Sequence, residues 1–330
     1  MTQGFTIGRR GALVLPLALP LAGLAATARA QGAWPTRPVR FVVSFTPGGT
    51  TDIIARLLGA TLTETWGQSV VIENRPGAGG NIGSEHVARS APDGYTLLVG
   101  SVGPLAVNQS LVKNMPYDTL RDFAPITLLA GVPNILVVPA ASPIRDVPGL
   151  VAAAKARPGQ LSYGSTGVGT SAHLSGVMLD QMAGTQTLHV PYRGAVALND
   201  LLAGRVDFMF ATIPSVIGHI REGRLRALAV SSTTRSRSNP DVPTMVELGY
   251  PDFSASSWFG MVAPAGTPPA IIEKITTDVH AALALPRNAQ SMIEQGADPV
   301  GNGPEAFRAF MAEEISRWRE IVRLAGALPE

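Results

Sequence analysis

Three glycine-rich turns lead into segments of helical periodicity: Pro47-Gly48-Gly49-Thr50, Gly77-Ala78-Gly79-Gly80 and Gly167-Val168-Gly169-Thr170. A helix N-terminus offers free N–H groups and about half a positive charge. Glycine lets an anion approach the backbone closely, and Thr or Ser adds a hydroxyl donor. Such a turn can hold a carboxylate or phosphate without a basic side chain. The same residues also suit a tight strand-to-helix turn with a Thr cap. Two of the turns match: Thr46 to Thr51 and Thr166 to Ser171 both read T-x-x-G-T-[T/S]. Both follow the first strand of an α/β unit, and in parallel α/β sheets such turns gather at the carboxyl edge, where ligands bind.

Other chemistries find little support. The chain has no cysteine, which excludes disulfides, thiolate catalysis and Cys-based metal sites. Its five histidines, His86, His173, His189, His219 and His280, are scattered, with no H-x-H or H-E-x-x-H spacing. No G-x-S-x-G elbow occurs. Gly167-Val168-Gly169 followed by Ala172 fits G-x-G-x-x-A, but no acidic residue ends the next strand and no Walker lysine is present, so no nucleotide cofactor is expected. His173 suits helix packing or general-base work. Asp207, in the strand VDFMF, could meet a cationic ligand group or cap local backbone. Asp52 sits in a first helical turn, where it offsets the dipole; aimed at a bound anion it would repel it. Trp258 and Phe259 suit either a cleft wall or core packing.

Positioning these turns requires strands alternating with helices. Val39 to Phe45 is a short β-branched and aromatic strand, and Ile53, Ile54, Leu57, Leu58 and Leu62 repeat at helical spacing up to Gly67. Strands follow over 69–73 and 95–99, with a helix over 81–90 between them. The same order restarts with strands at 161–165, 188–191, 206–210 and 225–230 and helices at 170–182, 197–203 and 215–222. Short loops between alternating elements imply two units, each a parallel sheet flanked by helices. Two apolar stretches, Ile126 to Pro139 and Ser257 to Pro264, are candidates to cross between them. Two helices then close the chain over 269–285 and 304–325. The second carries a stripe of Phe307, Phe310, Met311, Ile315, Trp318, Ile321 and Val322. Two crossings return these helices to the first lobe.

The N-terminus reads as an export signal. Arg9 and Arg10 precede an uncharged run from Ala12 to Ala26, and Ala28-Arg29-Ala30 gives an Ala-x-Ala cleavage site. The arginine pair fits either a twin-arginine signal or an ordinary secretory one. Removing Arg9, Arg10 and Arg29 from the 26 basic residues leaves 23 against 24 acidic, a formal charge of −1. No basic field remains to attract nucleic acid. With 330 residues, 45% of them apolar, the chain can bury about two domain cores.

Together, WPTRPVRFVVSFTPGGTTDIIARLL, VIENRPGAGGNIGSEHVA, DGYTLLVGS, LSYGSTGVGTSAHLSG, HVPYRGAVALNDLLAGRVDFMF, LRALAVSS and DVPTMVELGYP resemble the Bug-type extracytoplasmic receptors of tripartite tricarboxylate transporters. The resemblance runs from Trp34 to about Pro251, and the C-terminal helices also fit. It implies a two-lobe, type II-like periplasmic-binding-protein fold, each lobe a mostly parallel sheet, joined by two crossover strands. The expected division is a signal peptide over 1–30, lobe one over 31–130 and 259–330, and lobe two over 131–258. It implies a small carboxylate held between the first-strand loops, partly through ordered water. The matching positions are Phe45, Thr46, Gly48, Gly49 and Thr50; Gly79, Asn81 and Ser101; Ser165, Thr166, Gly169 and Thr170; and Asp207. The expected partners are that ligand and the membrane permease subunits, with the protein a monomer and neither metal nor cofactor required. A sensor docking on a signalling receptor, or an enzyme acting on a small carboxylate, are the alternatives. Dicarboxylates, tricarboxylates, acidic amino acids and aromatic acids all suit backbone-donor recognition.

Overall fold

Two mixed sheets carry the computed structural model, which describes residues 1–4 and 34–324. The expected export signal lies almost wholly outside the described residues. The described residues from Pro35 onward form one compact unit.

The first sheet contains β1 (Val39–Val43), β2 (Val70–Asn74), β3 (Thr96–Ser101), β4 (Phe123–Val132), β10 (Ser257–Pro264) and β11 (Asp298–Pro299), in the order β11-β4-β10-β3-β1-β2. The second contains β5 (Asn134–Pro139), β6 (Ser162–Ser165), β7 (Leu188–Pro191), β8 (Phe208–Thr212) and β9 (Leu225–Val230), in the order β7-β6-β8-β5-β9. β3 is buried along its whole length, its Leu97-Leu98-Val99 centre apolar on both faces as an inner strand requires.

The sheets are mixed rather than mostly parallel, which corrects the expectation. β1 runs parallel to β2 and β3, and β6 to β7 and β8. But β10 is antiparallel to β3 and β4, β11 to β4, and β5 to β8 and β9. Each lobe contains a βαβ unit, β1-α1-β2 in one and β6-α6-β7 in the other, and the strands next to the crossings, β4, β5 and β10, pair antiparallel.

The first crossing falls within the apolar stretch from Ile126 to Pro139. Pro133, which has no N–H for a ladder, separates β4 in one sheet from β5 in the other. The second candidate does not cross. Ser257–Pro264 is β10, wholly inside the first sheet, and the return passage is the coil before it, residues 231–256. Asn134 ties the two passages together. Its N–H donates to Ser231 Oγ, its carbonyl accepts from the Ser231 N–H, and its side-chain amide donates to the Ala255 carbonyl at 2.6 Å.

Helices cover the sheets. α1 (Thr50–Trp66) buries Ile54, Ala55, Leu58 and Leu62 and ends at Gly67, whose left-handed conformation returns its N–H to the Thr63 carbonyl. α2 (Asn81–Ala88), α3 (Asn108–Leu111) and α4 (Thr119–Asp122) complete the first half. α5 (Val147–Ala156), α6 (Ser171–Ala183), α7 (Val196–Leu202) and α8 (Ile213–Arg221) belong with the second sheet. Three helices rather than two close the described chain: α9 (Pro269–Ala284), α10 (Pro286–Glu294) and α11 (Pro304–Leu324). Pro286 starts a new helix where one ending at 285 was expected.

The closing helices return to the first lobe. Trp66 Nε1 in α1 donates to Asp278 in α9, and Thr276 donates to the Ile126 carbonyl. In α11, Phe307, Met311, Ile315, Trp318 and Val322 are buried, and Glu314 accepts from the indoles of both Trp258 and Trp318 at 2.8 Å. Trp258 thus belongs to the core.

Candidate functional site

Between the two lobes lies a cavity of about 670 Å³, its mouth included. Lobe one contributes Phe45, Gly48, Gly49, Thr50, Thr51, Ser101, Val102, Gly103, Ser257 and Phe259. Lobe two contributes Thr166, Thr170, Ser171, Gly194, Ala195, Leu198, Met209, Thr212, Ser215 and Val216. None of these side chains carries a charge.

Three helix N-termini reach this cavity. Gly49 and Thr50 start α1, and Gly49 offers no side-chain cap. Thr212 and Ser215 stand at the start of α8, which also lacks a side-chain cap. Thr170 and Ser171 start α6, where the Thr170 hydroxyl accepts from the His173 N–H. The first N–H groups of a helix have no intrahelical acceptor. With hydroxyls interleaved among them, the α1 and α6 starts form a donor-rich, positively polarised wall without a formal cation. At α8 the Ile213 N–H is already bonded to the Pro133 carbonyl and Pro214 has no N–H, so the Thr212 and Ser215 hydroxyls stand there instead.

Asp52 does not spoil this wall. Its carboxylate is buried and not part of the cavity wall, accepting from the Gly48 N–H at 3.0 Å, Arg56 Nε at 2.9 Å and Asn74 Nδ2 at 3.0 Å. Burial opposes its ionisation, but these donors outweigh burial and hold its carboxyl below the usual range.

Of the sequence-predicted residues, Phe45, Gly48, Gly49, Thr50, Ser101, Thr166 and Thr170 line the cavity. Thr46 stands at its edge, where its hydroxyl accepts from the Ala195 N–H of the other lobe at 2.8 Å.

The remaining residues do other work. Gly79 and Gly169 form a seam where the lobes touch. Gly169 has φ +76°, and a Cβ there would overlap the Asn108 side chain of the other lobe. Gly79 has φ +62°, and its Cβ would stand 2.5 Å from the Val168 carbonyl oxygen. Glycine is needed at both positions for close approach between protein segments. Asn81 is buried, its Oδ1 accepting from Asn108 Nδ2 at 2.7 Å and from the Tyr117 hydroxyl at 3.1 Å. Ser165 bonds His189 Nε2 at 2.7 Å and the Gly167 backbone, which shapes the lobe-two loop from below. Asp207 is exposed and caps local backbone: it accepts from the N–H and hydroxyl of Ser162.

His173 proves to be a packing residue. Its ring stacks on His189 at 4.1 Å, and its Nδ1 accepts from the Gly169 N–H at 3.3 Å. Burial lowers the His173 pKa to about 4; burial, with His173 beside it, lowers that of His189 to about 3. Both rings are therefore neutral at neutral pH. Among the described residues no group of three or more His, Asp or Glu is placed to hold a metal ion.

Sequence reasoning missed the α8 start. Thr212-Ile213-Pro214-Ser215 carries its own signal, a Thr N-cap with Pro in the first turn, but no glycine draws attention to it. It also missed Leu198 and Met209, whose apolar character reads as core.

The family described as "Tripartite tricarboxylate transporter family receptor" matches residues 54–327. Protein BugT of Bordetella pertussis is 42% identical over 316 residues, 95% of this chain and 97% of that protein. A solved R. palustris protein, with adipate, superposes with TM-score 0.88 at 39% identity, over 90% of this chain and 100% of that one. MatC from Rhodopseudomonas palustris, with bound malate, gives TM-score 0.84 at 34% identity, over 88% and 100%.

Proposed function

The chain belongs to the tripartite tricarboxylate transporter receptor family, whose members are periplasmic solute-binding proteins, and on that premise we propose that it captures a small carboxylate between its lobes for delivery to the membrane permease. The observation that carries this is the convergence of three helix N-termini, from both lobes, on one charge-free cavity. Such a wall favours an anion over a neutral solute, and a ligand touching both lobes stabilises the closed form. Two similar proteins, solved with adipate and with malate, hold carboxylates.

The protein acts by binding rather than catalysis. The cavity wall offers hydroxyls and backbone donors but no side-chain acid, base or metal-ligand set. Residues 1–30 are removed on export, and the mature protein works as a monomer. The expected bounds at 130/131 and 258/259 each cut two residues into first-sheet strands, β4 and β10; the chain changes sheets at Pro133 and again before Ser257. A thermal-shift screen of the mature protein against a carboxylate panel tests the function. At 100-fold excess over Kd, a true ligand adds about 2.7 kcal/mol of stability. A panel on which no carboxylate raises the melting temperature would contradict it.

A further inference from the structure

We propose, resting on the carboxylate reading above, that Ser257 and Ser101 form a second subsite on the lobe-one side of the cavity, which bonds an oxygen, hydroxyl or carboxylate, at the far end of the ligand. Most hydroxyls at the helix starts already bond protein. Thr50 bonds Thr212, Ser215 donates to the Thr212 carbonyl, Thr170 donates to the Gly167 carbonyl, and Ser171 donates to Asn134 Oδ1. Ser101 and Ser257 differ. Both line the cavity and are only 6% and 4% exposed, and neither hydroxyl bonds a protein group among the described residues.

The sheet sets these two residues side by side. On β10, Ser257 and Phe259 are two positions apart and so share a face. Phe259 lies opposite Ser101 of β3 in the antiparallel ladder, so all three residues present one face of the sheet to the cavity. β3 stands between β10 and β1, and β1 feeds the turn that starts α1. Ser257 is therefore two strands, about 10 Å, across the sheet from β1. A ligand whose carboxylate rests at the α1 start can reach Ser257 with its other end. A serine hydroxyl both donates and accepts, so a ligand hydroxyl and a carboxylate both suit it. A methyl group there would leave a buried hydroxyl unpaired, which costs affinity.

The test is calorimetry with three acids that differ only at the far end: hexanoate, 6-hydroxyhexanoate and adipate. The two with a terminal oxygen are expected to bind about tenfold tighter than hexanoate. Ser257→Thr and Ser257→Val give side chains of the same shape that differ by the hydroxyl alone. The Thr variant should keep most of this ratio, and the Val variant should bring it down to about threefold or less. Ser101→Ala only shortens a side chain; it reads the same ratio from the neighbouring strand and should lower it too. A merely structural role for either serine would move the melting temperature and not the ratio. If the wild-type protein binds hexanoate as tightly as the other two, or if the Thr and Val variants give the same ratio, the inference is overturned while carboxylate binding stands. If no acid binds better than its methyl ester, the proposed function itself fails.

Discussion

Thr50 and Thr212 meet hydroxyl to hydroxyl at 2.7 Å, joining the first residue of α1 in one lobe to the N-cap of α8 in the other. Two helix starts are thereby pinned together at the cavity wall, and the Thr212 hydroxyl lies 3.3 Å from Ser215 Oγ. This bond and the one from Ala195 N–H to Thr46 exist only while the lobes are together. Closure and assembly of the binding wall are thus a single event.

Thr50→Val keeps the shape of the side chain and removes its half of this bond. A loss of about 0.5–1.5 kcal/mol in ligand affinity is expected, expressed mainly as faster dissociation. Thr212→Val should cost about the same, and the double variant little more than either alone. Stopped-flow release kinetics with a double-mutant cycle would check this; fully additive losses would show that the two hydroxyls act independently.

Gly169→Ala introduces a Cβ where Asn108 of the other lobe stands, at a φ that disfavours any side chain. The lobes are then held apart. Binding should be lost while the protein still melts cooperatively, and solution scattering with ligand should no longer show compaction. Wild-type affinity in this variant would mean that the seam does not close in the bound state.

Asn134 links both passages between the lobes and accepts from the Ser171 hydroxyl at the α6 start. It is fully buried, so Asn134→Leu leaves the Ala255 carbonyl and the Ser171 hydroxyl without this partner. A destabilisation of about 1–3 kcal/mol is expected by denaturant titration. An unchanged unfolding midpoint would contradict its role as a tie.

The His173–His189 stack gives an acid limb to stability. Both pKa values are lower in the folded protein than in the unfolded chain, so below about pH 6.5 the unfolded state binds more protons. Stability from this pair is therefore full above that pH and drains away as pH falls toward 4. His173→Asn should flatten the melting-temperature profile between pH 6.5 and 5, where most carboxylates have yet to protonate. A profile parallel to the wild type would show that the pair does not titrate in this way.

Much of this architecture is legible from apolar periodicity and glycine punctuation. β7 and β9 fall within the expected limits, and α1 differs mainly at its start. Strand direction was less legible: a buried run such as Ser257–Pro264 has the same composition whether it crosses between lobes or lies antiparallel inside one. Where glycine or threonine marks a helix start, Gly49, Thr50 and Thr170 line the cavity as expected from the sequence. The same signature also marks close packing: Gly79 and Gly169 meet protein across the seam. Asp207 and Asn81 show the other limit, since a side chain that satisfies protein groups, Ser162 for the one and Asn108 and Tyr117 for the other, has the same sequence signature as one that meets a ligand.

The most direct measurement is calorimetry of one bound acid and its methyl ester, repeated from low to high salt. With neutral N–H and O–H donors holding the carboxylate, the acid should bind and the ester should fail, and affinity should change little with ionic strength because short-range donors act rather than a diffuse field. Equal binding of acid and ester, or a steep fall of affinity with salt, would contradict a carboxylate held between the helix starts of the two lobes.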